Sequence, residues 1–428
     1  MFNTREIATR ILNDVYEKCD LETATNINKN FNKLDKRDKA FVRLIVLNTL
    51  RRNGQIDRVI SDLVKRPFKR KDSYILNLIR ISICQILFLD VAEYSTVNSA
   101  VEISKNHNRD KFVNALLRNV CRKKKNLNKS STLEHNVPKW IKTDVINFLG
   151  KEVLAKISKS IVSEPALDIK IKKKYSKRKN WEKLLNGKFI DKELLRIPND
   201  GPINLKPFFN EGMWWIQGIS STLPVLFIDS VFEGINPSSL KILDVGSSPG
   251  GKTFQLLEKG FDVTPIEISK RRIQKLKENL SRLNLNASIV SEDFLKYKTK
   301  KFFDCVLVDA PCTASGLIQK KPEILIRDKG ADLDRLVEKQ KLMLEKSSRL
   351  TKKGGYILYC VCSIHTREGI RQIENFLVRN KDFSLVTLNK SIGRFGKSIA
   401  NGMLLITPDS ENIKGGLDGF FISLLRKG

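Results

Sequence analysis

Leu243-Asp244-Val245-Gly246-Ser247-Ser248-Pro249-Gly250-Gly251-Lys252-Thr253 reads as the end of a buried strand, a glycine-rich turn and the first residues of a helix. Glycines in such a turn let the backbone approach a ligand closely, and the helix amino terminus favours negative charge. The spacing Gly246-x-x-x-Gly250-Gly251 differs from the dinucleotide pattern G-x-G-x-x-G, and Gly246 stands too close to Lys252-Thr253 for a Walker A loop. From Leu240 onward, short β-branched runs alternate with amphipathic helices. The runs are Lys241 to Val245, Val263 to Ile266, Ala287 to Val290, Phe303 to Val308 and Tyr356 to Val361, with Gly419 to Leu425 as a closing strand. This alternation predicts an α/β fold with a doubly wound, mostly parallel sheet.

A parallel sheet collects ligands at the carboxyl ends of its strands. Glu267 ends the strand after the glycine turn, where an acid accepts hydrogen bonds from ribose hydroxyls. Asp293 follows the third strand, within reach of an adenine amino group. Either acid could instead cap the next helix. The loop Asp309-Ala310-Pro311-Cys312 follows the fourth strand, and Cys360-Val361-Cys362-Ser363 ends the fifth. Cys305 and Cys360 alternate into the strand interior and are expected in the core, which leaves Cys312 and Cys362 at the ligand edge. Two thiols beside an acid suit methyl transfer to carbon 5 of a pyrimidine. That carbon is a poor nucleophile until a thiolate adds to carbon 6, and the thiolate needs nearby positive charge. An acid assists at ring nitrogen 3, and the base must leave its stack. Lys252 offers the charge and Asp309 the acid.

The 428 residues allow two or three domains. The 78 Lys plus Arg exceed the 47 Asp plus Glu by a formal +31, which predicts attraction to polyanions, nucleic acid first. A Lys-rich proteome would give the same excess. Seven cysteines without regular spacing argue against a disulfide framework. The polar start Met1-Phe2-Asn3-Thr4-Arg5-Glu6 has no apolar signal core, and no apolar run reaches the ~20 residues of a membrane span. A reducing cytoplasm fits these observations. Only His107, His135 and His365 are present, with no Cys/His cluster at zinc spacing, so no metal is expected.

Residues 1–130 read as an all-α domain, with apolar stripes at Ile75, Ile79, Ile83, Ile86 and Leu87 and at Phe112, Ala115, Leu116 and Val120. Basic clusters occur at Lys65, Arg66, Lys69, Arg70 and Lys71 and at Arg122 to Lys125; each is either a solvated face or an RNA contact. Lys124 to Thr132 reads as a linker. Residues 138–235 form a small mixed α/β region, opened by a helix from Pro138-Lys139-Trp140. Its run Lys170, Lys172, Lys173, Lys174, Lys177, Arg178 and Lys179 interleaves with Tyr175 and Trp181. This pattern suits a single-stranded nucleic-acid surface, or a charged edge strand guarded against aggregation. Residues 236–428 carry the sheet.

Four motifs in order resemble the S-adenosylmethionine-dependent RNA cytosine-5 methyltransferases. Asp244-Val245-Gly246-Ser247-Ser248-Pro249-Gly250-Gly251-Lys252-Thr253 resembles the family's D-x-C-A-A-P-G-G-K-T loop. Asp309-Ala310-Pro311-Cys312-Thr313-Ala314-Ser315-Gly316 resembles D-A-P-C-S-x-x-G, Val361-Cys362-Ser363 with Glu368 resembles T-C-S-x-x-x-x-E, and Asp418-Gly419-Phe420-Phe421 resembles D-G-F-F. The helical region is similar to NusB around Val97-Asn98-Ser99-Ala100-Val101-Glu102 and Phe112-Val113-Asn114-Ala115-Leu116-Leu117-Arg118. That pairing characterises the RsmB/Sun (Fmu) family of 16S rRNA methyltransferases. The resemblance implies a Rossmann-like catalytic domain, S-adenosylmethionine as cofactor and small-subunit ribosomal RNA as partner. It implies Cys362 as the nucleophile and Cys312 as an aid to product release. Cofactor contacts are implied at Gly246, Ser247, Ser248, Pro249, Gly250, Gly251, Lys252, Glu267, Asp293 and Asp309. A monomer is expected.

The chain departs from the family pattern at several positions. Gly246 replaces a cysteine, Ser247-Ser248 replace alanines, Val361 replaces threonine, and Gly369 follows Glu368 in place of asparagine. Lys170-Ile171-Lys172 replaces an R-V-N triplet, a change that bears on RNA positioning and leaves the chemistry intact. Competing readings are the same chemistry on transfer or large-subunit RNA, a DNA methyltransferase with Cys312 as nucleophile, and a non-catalytic antitermination or assembly factor.

Overall fold

The structure, a computed structural model, describes residues 3–17, 19–327, 330–389, 392–400, 402–408 and 415–428. Met1 and Phe2, which begin the polar amino-terminal stretch, lie outside them. The chain divides into a helical unit, Met1–Ser163 with Ile318–Asp328, and an α/β unit, Glu164–Leu317 with Lys329–Gly428.

Asx side chains start the first helices of the helical unit. Asn3 accepts from the amides of Arg5 and Glu6, Asp20 from Thr23, Asn28 from Phe31 and Asp35 from Asp38. Each satisfies a donor that the first helical turn leaves open. The helix Ser73–Phe88 buries Ile75, Ile79, Ile83, Ile86 and Leu87 in one continuous core, as its spacing predicts. On Asp110–Ser130 the buried stripe is Val113, Leu116, Leu117 and Val120. Leu116 and Val120 are thus buried as expected, whereas Phe112 and Ala115 are exposed and Val113 and Leu117 take their place. The stretch read as a linker is helical through Ser130, because buried Leu127 anchors the last turns. Basic residues cover the exposed side of that helix, and Lys124 pairs with Glu93 at 3.1 Å.

The α/β unit begins with an antiparallel sheet in the order β2-β3-β1-β4. Its strands are β1 (Leu167–Ile171), β2 (Lys188–Asp191), β3 (Leu194–Ile197) and β4 (Trp214–Ile216). β1 is interior, flanked by β3 and β4, so it is not the edge strand that its lysines could signify. Lys170 and Lys172 are buried: Lys170 pairs with Glu193 at 2.7 Å, and Lys172 donates to the Leu283 carbonyl. Trp181 is fully buried, and its indole N–H donates to the Tyr175 carbonyl at 3.0 Å. The basic–aromatic alternation is therefore partly core, and Trp181 is not a stacking surface. Asp168 binds Arg196 at 2.7 Å and accepts from the Ile219 amide at the start of the helix Ile219–Val231.

Among the described residues nine strands form the larger sheet, in the order β11-β12-β13-β9-β8-β5-β6-β7 with β10 pairing β13. They are β5 (Lys241–Val245), β6 (Asp262–Glu267), β7 (Val290–Ser291), β8 (Phe303–Asp309), β9 (Thr351–Val361), β10 (Phe383–Leu385), β11 (Lys397–Ala400), β12 (Met403–Ile406) and β13 (Phe420–Lys427). β7-β6-β5-β8-β9 are parallel, and β13 runs antiparallel beside β9. The order reverses between β5 and β8, where open α/β sheets bind their ligands. β7 is shorter than the run Ala287 to Val290 implied, with only Val290 and Ser291 in register with β6. Cys305 and Cys360 are fully buried, as expected for interior strand positions. Among the described residues no helix is long and apolar enough to cross a membrane.

Trp181→Ala should lower unfolding free energy by about 3–5 kcal/mol, the usual cost of emptying a buried aromatic site. Urea unfolding measures it. RNA affinity of the folded variant should match wild type; a loss of affinity at unchanged stability would restore the stacking role.

Candidate active site

The site is built on four strand ends. Gly246 turns the chain out of β5 at φ 78°, where a side chain is strained, and a Cβ there would lie 2.5 Å from the Asp309 carbonyl oxygen. Glycine thus lets the turn after β5 lie against the end of β8. The Gly246 amide donates to the Ile266 carbonyl at 3.0 Å, which ties the same turn to β6. The Ser248–Pro249 peptide is cis. The two serine hydroxyls of the turn find carbonyl acceptors: Ser248 donates to Arg272 at 2.8 Å and Ser247 to Ile266 at 3.5 Å. Behind the turn, Gln217 accepts from the Trp215 indole at 2.8 Å and donates to Gln255 at 3.0 Å. Gly251 sits over Gln217, where a Cβ would come within 3.4 Å of its side chain. Gln217 stands outside every motif of the sequence.

Lys252, in the first turn of the helix Gly251–Glu258, donates to Asp309 Oδ2 at 2.7 Å and lies 5.3 Å from the centre of the Phe420 ring. Burial disfavours its charge, but the Asp309 carboxylate outweighs that cost and holds the ammonium above its ordinary pKa. The positive charge is thus delivered to the acid. The other Asp309 oxygen faces the Cys360 thiol at 3.7 Å, and the side chain is 29% exposed. The fully buried Asp244 accepts from the Thr253 hydroxyl at 2.5 Å. Burial pushes its carboxyl up to about 6, against the pull of Thr253 and Lys252.

Glu267 is 4% exposed. Its Oε1 accepts from the Ser269 amide at 3.0 Å, so it does support the next helix. Its Oε2 is buried without a hydrogen-bond partner, and the nearest cation, Arg272, is 3.7 Å away. An orphaned carboxylate oxygen at this strand end fits a ligand hydroxyl. Asp293, half-buried, accepts from the Leu295 amide at 3.0 Å and so shapes its own turn.

Cys312 and Cys362 meet at 3.3 Å between sulfurs, and both are partly exposed. The hydrogen bond to Cys362, then burial, then the charges of Cys362 and Glu368 push the Cys312 thiol well above its usual pKa. Backbone bonds register the two loops: the Ala310 amide donates to the Cys360 carbonyl at 3.1 Å and Gly316 to Cys362 at 3.0 Å. Glu368 is fully buried between them. It accepts from the Thr313 amide at 2.8 Å, the Thr313 hydroxyl, the Ser363 hydroxyl at 2.6 Å and the Gln340 amide at 3.1 Å. The sequence carried Glu368 only as a motif letter, and Gln340 escaped it. Its signal was a polar residue on the buried face that holds Leu333, Met343, Leu344 and Ser347. No group of side chains suited to a metal ion occurs among the described residues.

A family model described as 16S rRNA methyltransferase RsmB/F matches residues 235–426, and the NusB family matches residues 2–122. The chain joins a NusB-family domain to an RsmB/F-family methyltransferase domain. The ribosomal RNA small subunit methyltransferase B of Photorhabdus laumondii is 28% identical over 447 residues, covering 100% of this chain and 99% of its own. Its counterpart from Shewanella oneidensis is 27% identical over 444 residues, covering 99% of each. Among solved structures, PH0851 shares the fold at a TM-score of 0.77 and 21% identity, over 100% of this chain and 99% of its own. NSun6 from Pyrococcus horikoshii, solved with SFG, gives 0.58 and 20% over 69% of this chain and 99% of its own.

Asp244 gives this site a pH signature. A carboxyl raised on folding stabilises most below its unfolded pKa, and the advantage disappears as pH rises through the folded value of about 6. Wild type should therefore lose about 2 kcal/mol relative to Asp244→Asn between pH 4 and 7, since each pKa unit is worth about 1.4 kcal/mol and part of the change falls below pH 4. Urea unfolding of both proteins across that range measures the difference; parallel curves would place the titration elsewhere.

Proposed function

We propose that the chain transfers a methyl group from S-adenosylmethionine to carbon 5 of cytosine in small-subunit ribosomal RNA, through a covalent bond between Cys362 and carbon 6. The observation that carries this reading is the pair of thiols at 3.3 Å on the loops that follow neighbouring strands, β8, which ends in Asp309, and β9. The RsmB/F match and the names of the full-length relatives support the RNA target.

S-adenosylmethionine, when bound, supplies an electrophilic methyl group. Gly246 to Lys252 and Asp309 would cradle it, Glu267 would accept from its ribose hydroxyls, and Asp293 would meet its adenine. Cys362 adds to carbon 6 of a cytosine drawn out of its stack, which turns carbon 5 into a nucleophile. Asp309, ionised beside Lys252, takes the proton that the Cys362 thiol gives up and passes it to ring nitrogen 3 as electron density collects there. After methyl transfer, solvent water takes the hydrogen on carbon 5 as a proton, its bonding pair closes the double bond between carbons 5 and 6, and the carbon–sulfur pair returns to Cys362, which recovers its proton from ring nitrogen 3. Cys312 stands against Cys362 and serves this release step. Its raised pKa suits a proton carrier better than an attacking thiolate. The helical unit and the exposed lysines of residues 138–235 would hold the RNA.

Transfer of labelled methyl to unmodified small-subunit RNA tests this directly. Wild type should be active, Cys362→Ala inactive, and Cys312→Ala should accumulate a protein–RNA adduct. Full activity in Cys362→Ala would overturn the nucleophile assignment. Inactive wild type that binds RNA with steep salt dependence would favour a binding factor.

Glu267→Ala should weaken S-adenosylmethionine binding by about 10–100-fold, the usual loss for one charged hydrogen bond. Calorimetric titration provides the check, and unchanged affinity would remove Glu267 from the ribose contact.

A further inference from the structure

Gln340 projects from the helix Gly330–Leu350 and is fully buried. Its amide nitrogen donates to two acceptors on different loops, the Pro311 carbonyl at 2.9 Å and Glu368 Oε1 at 3.1 Å. Both amide hydrogens are therefore used. Its oxygen accepts from Gln372 at 3.2 Å, and Gln372 in turn donates to the Val337 carbonyl at 2.6 Å. Only one orientation of the Gln340 amide satisfies these contacts; the flipped one would set its oxygen against two acceptors.

The chain neighbours of both thiols converge on this pair. Pro311 precedes Cys312, and Thr313 follows it with both its amide and hydroxyl on Glu368. Ser363 follows Cys362 and donates to the same carboxylate. Ser315 adds a contact with Ser363 at 2.8 Å and accepts from the Ile364 amide at 3.0 Å. Four donors on two carboxylate oxygens leave nothing to spare, so removing one slackens a buried network as a unit. Gln340 joins Glu368 directly to the residue before Cys312.

We propose that Gln340 is a positioning residue, which through Glu368 and the Pro311 carbonyl fixes the loop of Cys312 against the loop of Cys362 and keeps the two thiols in contact. The role in catalysis rests on reading those thiols as the reactive pair.

The test uses the full chain and two readouts. The first is the rate at which diamide links Cys312 to Cys362, mapped by mass spectrometry of tryptic peptides. The two thiols lose two electrons and two protons to form the disulfide, and the azo bond takes them up to become a hydrazine. The second is the single-turnover rate of methyl transfer, with the RNA concentration at half-saturation. Gln340→Met, close in size but without the amide, should slow both rates by about 10-fold or more and leave half-saturation within about twofold, because small misplacements of reacting groups act on the chemical step. Gln372→Met, which removes only the outer anchor, should slow both by about threefold, a smaller step in the same direction. It serves as the test if Gln340→Met does not fold. Both rates within about twofold of wild type in a folded variant would overturn the proposal, since truncating a positioning contact must cost more. Disulfide formation needs neither RNA nor methyl donor. A wild type that cross-links but does not methylate therefore sinks the functional reading and leaves the positioning role measured.

Discussion

The ion pair between Lys252 and Asp309 joins the turn after β5 to the loop after β8, across the reversal of strand order. A cation in the first turn of a helix is opposed by the helix dipole and, here, by burial as well. Asp309 compensates both at 2.7 Å, and its own charge lies where the helix amino terminus favours an anion. Neither residue could keep its place alone: removing one partner of a buried pair typically costs about 3–5 kcal/mol. The glycine turn and the thiol loop are therefore one electrostatic unit, and Phe420 closes it from β13.

Much of this arrangement can be read in the sequence because interior parallel strands are apolar on both faces. β5, β6, β8 and β9 each carry a short, mostly apolar segment, and the candidate site residues stand at or just after their carboxyl ends. β7 was harder, since an edge strand with two paired residues needs little apolar length. The middle region misled for a different reason. Lysine counts as polar in any pattern, yet Lys170 and Lys172 are buried by acceptors distant in sequence, Glu193 and the Leu283 carbonyl. Basic residues beside Trp181 look the same whether the ring faces RNA or packs into a sheet. The expected linker failed because Leu127 alone carries the burial that extends its helix.

Gln340 and Gln217 were illegible for a related reason. Each is a neutral amide whose role lies in linking two segments that the sequence keeps apart. A motif scan finds residues that meet substrate and passes over those that hold the finders in place. A polar residue on an otherwise apolar helix face is the one trace such a residue leaves, because burying an amide is tolerable only when its partners are supplied.

Supporting bonds of this kind are needed because β8 and β9 end in loops, and a loop by itself does not hold two sulfurs in contact. The sheet brings the loops within reach, and two backbone bonds set their register. A third constraint comes from the start of β13. The Gly419 amide donates to the Gly316 carbonyl at 2.8 Å, and a Cβ on Gly316 would lie 1.9 Å from the Gly419 oxygen. Three strand ends are thus pressed together so closely that only glycine fits at the crossing. Rigidity enters from the backbone of β13 and polarity from Glu368 and Gln340, while Cys312 and Cys362 stay partly exposed at the edge of the cluster.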